Sequence, residues 1–275
     1  MHPVFFTIFG HEIHFYQVFY PTALLVTILL SSRWAKKQGI SQDMLLGAYL
    51  YSLIGILIGA RLLDVIVHFS WYIEEPSRIL NMRQGVVLYG GYLGAVFGGM
   101  GYLKFKRQPF LPYVDVAATW FGIGLAIHRS LACFMAGCCY GRPTGLPWGV
   151  TFPPGSRADK VFGQVAVHPT QLYEAAVGLC MFTVLILYSR RRNRVHGEQF
   201  GLQMAIYGTA RFLMEFVRGD TSRGSFGPLS TSQWISLGLL AAAAGLLIRA
   251  ARRRRLVAMG KMKPEGTIAG EPLKV

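Results

Sequence analysis

The residues of this 275-residue chain that can do chemistry are ionisable groups set inside long apolar runs. They are Arg61 with Asp64, Asp115, His128 with Arg129, Glu174, and Arg211 with Glu215. Such a group in a bilayer costs at least ~2.5–3.5 kcal/mol on insertion scales, so each is expected to face a cavity or a partner. Arg61 and Asp64 stand three apart on one helical face, a spacing that suits a structural ion pair as well as a functional one. Arg211, Glu215 and Arg218 follow i, i+4, i+7 spacing, which puts all three on one face with two guanidiniums against one carboxylate. Arg129 adds a further positive charge near the end of a helix. Guanidiniums converging at one depth point to an anionic ligand, because arginine grips phosphate bidentately. In a membrane the anion at hand is a phospholipid headgroup.

Four cysteines, Cys133, Cys138, Cys139 and Cys180, lie in or beside apolar segments. No C-x-x-C pair of zinc-finger type occurs, so neither a disulfide framework nor a metal is expected, and no soluble cofactor is indicated. Cys138 and Cys139 leave two readings open: an internal nucleophile or acyl acceptor, and two small apolar residues packing at a helix end.

These groups need elements to position them. The chain is 52% hydrophobic and 15% charged with a formal net charge of +15, where a soluble domain carries about 25% charged residues. The basic residues sit in short clusters between apolar runs, which excludes a nucleic-acid partner. Seven runs are long enough to cross a bilayer, at about 16–32, 43–67, 86–103, 112–137, 170–188, 198–217 and 231–249. The expected fold is therefore an all-α integral membrane protein of about seven transmembrane helices. Its membrane domain covers 1–251 and includes a small extracytoplasmic lobe at about 138–168, rich in Gly and Pro; residues 252–275 form a basic cytoplasmic tail. Alternate loops hold 18 and seven Lys and Arg residues, the richer set including the tail. The positive-inside rule then puts the N-terminus outside and the C-terminus in the cytoplasm. The first 15 residues hold no Lys or Arg, so the first run is read as a retained helix. Gly55 and Gly59, and Gly90, Gly94 and Gly98, recur at four-residue steps that suit close helix packing in lipid.

Tyr207 to Arg218 resembles the Y-G-x-x-R-F-x-x-E-x-x-R segment of bacterial prolipoprotein diacylglyceryl transferases, and His168 to Glu174 is similar to their P-[ST]-Q-L-Y-E helix start. The run Arg129 to Arg142 resembles their signature G-R-x-G-N-F-x-N-G-E-x-x-G-R in divergent form. Phe15-Tyr16-Gln17, Gly59-Ala60-Arg61 and Tyr89-Gly90-Gly91 resemble shorter motifs of the first three helices. The departures are specific. Arg129 stands four residues before Cys133 where the signature has three. Cys133 and Ala136 replace two asparagines, Cys138 replaces a glutamate, and Tyr89 replaces a histidine.

The resemblance implies seven helices and transfer of a diacylglyceryl group from phosphatidylglycerol to the lipobox cysteine of secreted precursors, with glycerol 1-phosphate as the second product. It implies a monomer among membrane lipids in the bacterial inner membrane. Carried over residue by residue, it gives catalytic roles to Arg129, Arg211, Glu215, Tyr89 and Tyr16. It gives substrate contacts to Arg61, Arg142, Gly90, Gly91, Gly141, Gln171, Glu174 and Cys138. Glu215 is open as a base or as the orienter of Arg211, and Tyr89 as a base or as a hydrogen-bond donor to the phosphate. Two other classes fit some features: a membrane-embedded cysteine transpeptidase of the exosortase type, and a lipid or anion transporter using the arginine cavity. The outward placement of the motifs argues against a transporter, whose site belongs near the bilayer midplane.

Overall fold

The computed structural model describes residues 4–74, 77, 88–191, 194–219 and 225–263. It divides into two units, one built on residues up to Ser31 and from Val114 onward, the other on Ser32–Tyr113.

The first unit opens with a hairpin of β1 (Val4–Ile8) and β2 (His11–His14), turned at Phe9 and Gly10. Both turn residues have positive φ, 49° and 78°, as the tightest hairpin loops require. Helix α1 (Phe15–Lys37) follows and runs on into the second unit. Helix α5 (Phe110–Ile127) continues as a π-helix over His128–Cys133. The segment after it packs Tyr140, Phe152, Ala158 and Val167 into a small apolar core, closed by α6 (Arg157–Phe162). Val167 bridges to both Pro143 and Val150. Asp159 is held below the usual carboxylate range by the Gln164 amide and the Gly155 N–H, which fixes the turn into α6.

Helix α7 (Thr170–Tyr188) starts directly after Pro169, which cannot donate and so costs nothing at a helix entrance. Helix α8 (Glu198–Met214) starts after Gly197, whose φ of 94° is left-handed. Asp115, one of the carboxylates flagged as expensive, caps that start: its oxygens accept from Gly197 N at 2.7 Å and Phe200 N at 2.9 Å. A carboxylate there satisfies orphan amides and the helix dipole together. After the short pair β3 (Ser225–Phe226) and β4 (Leu229–Ser230) comes α9 (Thr231–Ala258), opened by a capping box between Ser230 and Gln233. It stays helical through Arg252–Arg255.

In the second unit α2 (Gln42–Val67), capped by Ser41, packs along α4 (Leu88–Phe105), with α3 (Phe69–Glu74) between them in sequence. Glycines make the contact. A β-carbon on Gly55 would land on the Gly94 carbonyl, one on Gly59 on the Gly90 carbonyl, and one on Gly98 on the Tyr51 carbonyl. The four-residue glycine steps are therefore a packing seam. At the end of α2, Asp64 gathers Arg61 Nη1 at 3.3 Å, Tyr72 Oη at 2.5 Å and His68 Nδ1 at 3.1 Å. The Arg61 guanidinium also lies 5.1 Å from the Tyr72 ring centroid.

Among the described residues, five helical stretches are long and apolar enough to span a membrane: α1, α2, α5 with its π-turn, α7 and α9. Leu57, Ile58, Leu62 and Ile66 of α2 are each about 60% exposed, an apolar surface that lipid covers and water does not. The remaining two expected spans correspond to α4, whose glycines and tyrosines dilute its apolar content, and to α8, only 17 residues long. Several boundaries differ from the sequence expectation: α1 runs to Lys37, past 32, and α9 runs to Ala258, past 249 and into the expected tail. The fourth run ends at Cys133, where the chain turns into the lobe. The sixth ends at Met214, because Arg218 leaves the helix to form a bridge with Gly141.

Candidate active site

Three distant segments are laced together beside α7. Gly141 N donates to His168 O at 2.9 Å, His168 N to Arg142 O at 3.0 Å, Arg142 N to Val217 O at 2.8 Å, and Gly219 N to Tyr140 O at 3.1 Å. Gly141 is obligatory at this crossing: a β-carbon there would stand 2.5 Å from His168 Cβ and 2.8 Å from Val217 O. Arg142 Nε ties to Arg218 O at 3.2 Å.

The lacing brings Arg218, and the π-helix brings Arg129, to one buried carboxylate. Glu174, in the second turn of α7 and 4% exposed, meets Arg129 Nε at 2.5 Å through Oε2 and Arg218 Nη1 at 2.9 Å through Oε1. The first contact is an ion pair whose angle departs from a hydrogen bond. Arg211 forms a second pair: Nη1 donates to Glu215 Oε2 at 2.6 Å and Nη2 to Ser232 Oγ at 2.7 Å. Glu174 and Arg211 line the same cleft, with Leu125, Val177, Tyr207, Ala210 and Met214. Among the described residues, Arg129 and Arg218 hold Glu174 and Arg211 holds Glu215, and the rest of the cleft lining is mostly apolar. Such a site suits an anion attached to hydrocarbon.

This geometry corrects the face argument from i, i+4, i+7 spacing. Arg211 and Glu215 pair as spaced, but Arg218 does not share their face, because α8 has already ended at Met214. Arg218 turns instead to Glu174, where Arg129 joins it.

The one-residue excess between Arg129 and Cys133 is absorbed by the π-helix, which holds an extra residue in its turn. Arg129 therefore still reaches Glu174, and its Nη1 also stands 3.6 Å from the sulfurs of both Cys133 and Cys139. Gln171 Nε2 donates to Cys138 O at 2.6 Å and Thr170 Oγ1 to Cys139 O at 2.6 Å, so the start of α7 grips the cysteine pair by its backbone. The Cys133 and Cys138 thiols, then the Arg218 and Arg129 guanidiniums, hold the Cys139 thiol well below its usual range. Tyr16 stacks on Tyr20 at 5.6 Å, and both rings meet His128 edge-on at 5.8 and 5.3 Å. His128 Nε2 in turn lies 3.5 Å from Cys133 Sγ.

The structure thus brings together Arg129, Arg142, Gly141, Gln171, Glu174, Arg211, Glu215, Cys138 and, through His128, Tyr16. Arg61, Gly90 and Gly91 belong to the second unit, where Gly90 is packed against Gly59 and Gly91 neighbours Ile56 and Ala60. Tyr89 is a helical position in α4, and its side chain lies outside the described residues. Sequence reasoning missed Ser232 as a partner of Arg211, and Cys133 and Cys139 as neighbours of Arg129. For Ser232 the capping box beside it offered no signal of a second role; for the cysteines the C-x4-C-C spacing was there to read.

An all-α membrane protein with a buried arginine–carboxylate cleft is the class these features define. The sequence model of the prolipoprotein diacylglyceryl transferase family matches residues 3–249, and the chain belongs to that family. It is 34% identical to the phosphatidylglycerol–prolipoprotein diacylglyceryl transferase of Clostridium tetani, covering 86% of this chain and 93% of that one. It is 31% identical to the enzyme of that name from Geobacter sulfurreducens, over 92% and 96% of the two chains. The Nostoc enzyme of the same name is 32% identical over 92% and 91%. These matches favour neither the cysteine transpeptidase nor the transporter.

Proposed function

We propose that the protein transfers the diacylglyceryl group of phosphatidylglycerol to the cysteine thiol of a lipobox-bearing secreted precursor, leaving glycerol 1-phosphate. The observation that carries this reading is the cleft in which Glu174, holding Arg129 and Arg218, meets Arg211. In the reaction a sulfur–carbon bond forms as the bond from the lipid glycerol carbon to the phosphate oxygen breaks. The electron pair passes to phosphate, where guanidinium charge is needed most in the transition state. Arg211, aimed by Glu215 and Ser232, and Arg129, aimed by Glu174, supply that charge. Arg142, Gly141 and Gln171 hold the surrounding backbone, and Tyr16 sits beside His128 at the same end of α5. The thiol proton leaves before attack, since the thiolate is the nucleophile, and it ends on the glycerol 1-phosphate released. Tyr89, Arg61, Gly90 and Gly91 belong to the second unit.

The topology that goes with this reading has seven spans: the five membrane-capable helices together with α4 and α8. The N-terminus and the 138–168 lobe face outward and the tail after α9 faces the cytoplasm of a bacterial inner membrane. Every group named comes from one chain, which suits a monomer. Purified protein incubated with labelled phosphatidylglycerol and a lipobox peptide is expected to add one diacylglyceryl mass to the peptide and release glycerol 1-phosphate. An unmodified peptide with well-folded protein would defeat the proposal.

A further inference from the structure

The sulfurs of Cys133, Cys138 and Cys139 all lie within 4.8 Å of one another, although the sequence spacing has no zinc-finger form. We propose that these three thiols bind one soft, thiophilic metal ion, either monovalent copper or zinc. The inference does not rest on the transfer reaction.

The convergence is built by the backbone. Cys133 ends the π-helix, and the chain then turns through Gly137 at φ 62° and Cys139 at φ 63°. Left-handed backbone costs an ordinary side chain roughly 1–2 kcal/mol, and Cys139 adopts it. Adjacent residues in extended chain point apart; this turn brings the two neighbouring sulfurs to the same side as Cys133. The turn is also pinned. Cys138 N donates to Cys133 O at 3.2 Å, while Gln171 and Thr170 hold the Cys138 and Cys139 carbonyls at 2.6 Å each. Packing alone would not require three sulfurs on one point with their loop fixed from outside.

The donor set selects the ion. Thiolate bonds to zinc run about 2.3 Å, which places three sulfurs around one ion roughly 4 Å apart, within reach of the separations here. Three thiolates with no carboxylate suit a soft ion and give nothing to magnesium or calcium. Monovalent copper is satisfied by three sulfurs; zinc takes a fourth ligand, and the partial exposure of Cys138 and Cys139 leaves room for water. Either ion leaves the cluster negative. The Arg129 guanidinium, 3.6 Å from two of the sulfurs, is the counter-charge.

The test uses the full-length chain, reduced, stripped of metal and kept anaerobic in detergent. It is titrated with monovalent copper and, separately, with zinc, each against a coloured chelator. One equivalent per chain with sub-micromolar affinity is expected for at least one of the two, and whichever binds identifies the ion. The bound ion shields Cys133, Cys138 and Cys139 from alkylation, read by peptide mass, while the exposed Cys180 labels equally with and without metal. C138S weakens binding by at least about a hundredfold, and C180S leaves it unchanged. The protection arm needs no substitution, so a variant that folds poorly does not blunt the test. Absence of sub-micromolar binding for both ions would overturn the proposal. So would unchanged affinity in a folded C138S, or protection that includes Cys180.

Discussion

Arg211 carries the sharpest expectation among single residues. Its planar fork spans Glu215 and Ser232, and lysine keeps the charge but loses that fork. Arg211→Lys should lower transfer by about 100–1,000-fold, the scale of a lost transition-state contact, with membrane abundance near that of the parent. Glu215→Gln should cost less, because the glutamine can still accept from the guanidinium. Rates and abundance measured on the same membranes check this; equal loss of abundance in both variants would make the pair structural. The pairing of Arg211 with Glu215 was legible from their spacing. That of Arg218 with Glu174 was not, because it depends on where α8 stops and on a backbone crossing at Gly141, neither of which leaves a local pattern.

At the scale of elements, the π-turn explains how a diverged signature keeps its geometry. Removing exposed Leu131 should convert His128–Cys133 to ordinary helix and leave Arg129 facing Glu174, so the variant should reach within a few-fold of parental abundance. Removing Val116, in the regular part of α5, turns everything after it by about 100° and should abolish both abundance and transfer. Similar outcomes for the two deletions would refute the role of the π-turn. The glycine seam makes a second comparison. Gly94→Ala forces a β-carbon onto the Gly55 carbonyl and should reduce stability by about 1–3 kcal/mol, whereas Gly101→Ala meets nothing within 4 Å and should be silent. Thermal unfolding in detergent separates them. Helix positions were legible because each apolar run is long. The π-turn was visible only as a misfit of one residue, and the hairpins were hidden by their short length.

For the whole molecule, orientation is the expectation to check. A reporter fused after Lys263 should behave as cytoplasmic, and one inserted at Gly155, where an added β-carbon would meet nothing within 4 Å, as external. The reverse pattern would overturn the orientation. Charge asymmetry between loops was fully legible, since it is a property of composition. The division into two units was not, because it depends on which helices pack. The lacing at Gly141 has one further consequence, for the time course of biosynthesis. Arg142 and Arg218 stand 76 residues apart in the chain. A ribosome adding roughly 5–20 residues per second takes on the order of 4–15 s to cover that distance. Arg129 is already made when that interval opens, Glu174 is added part-way through it, and the second arginine of their cluster comes only at its end. The arginine–carboxylate cleft is therefore among the later features the nascent chain completes, and a polypeptide released before Arg218 carries its earlier helices into the bilayer without it.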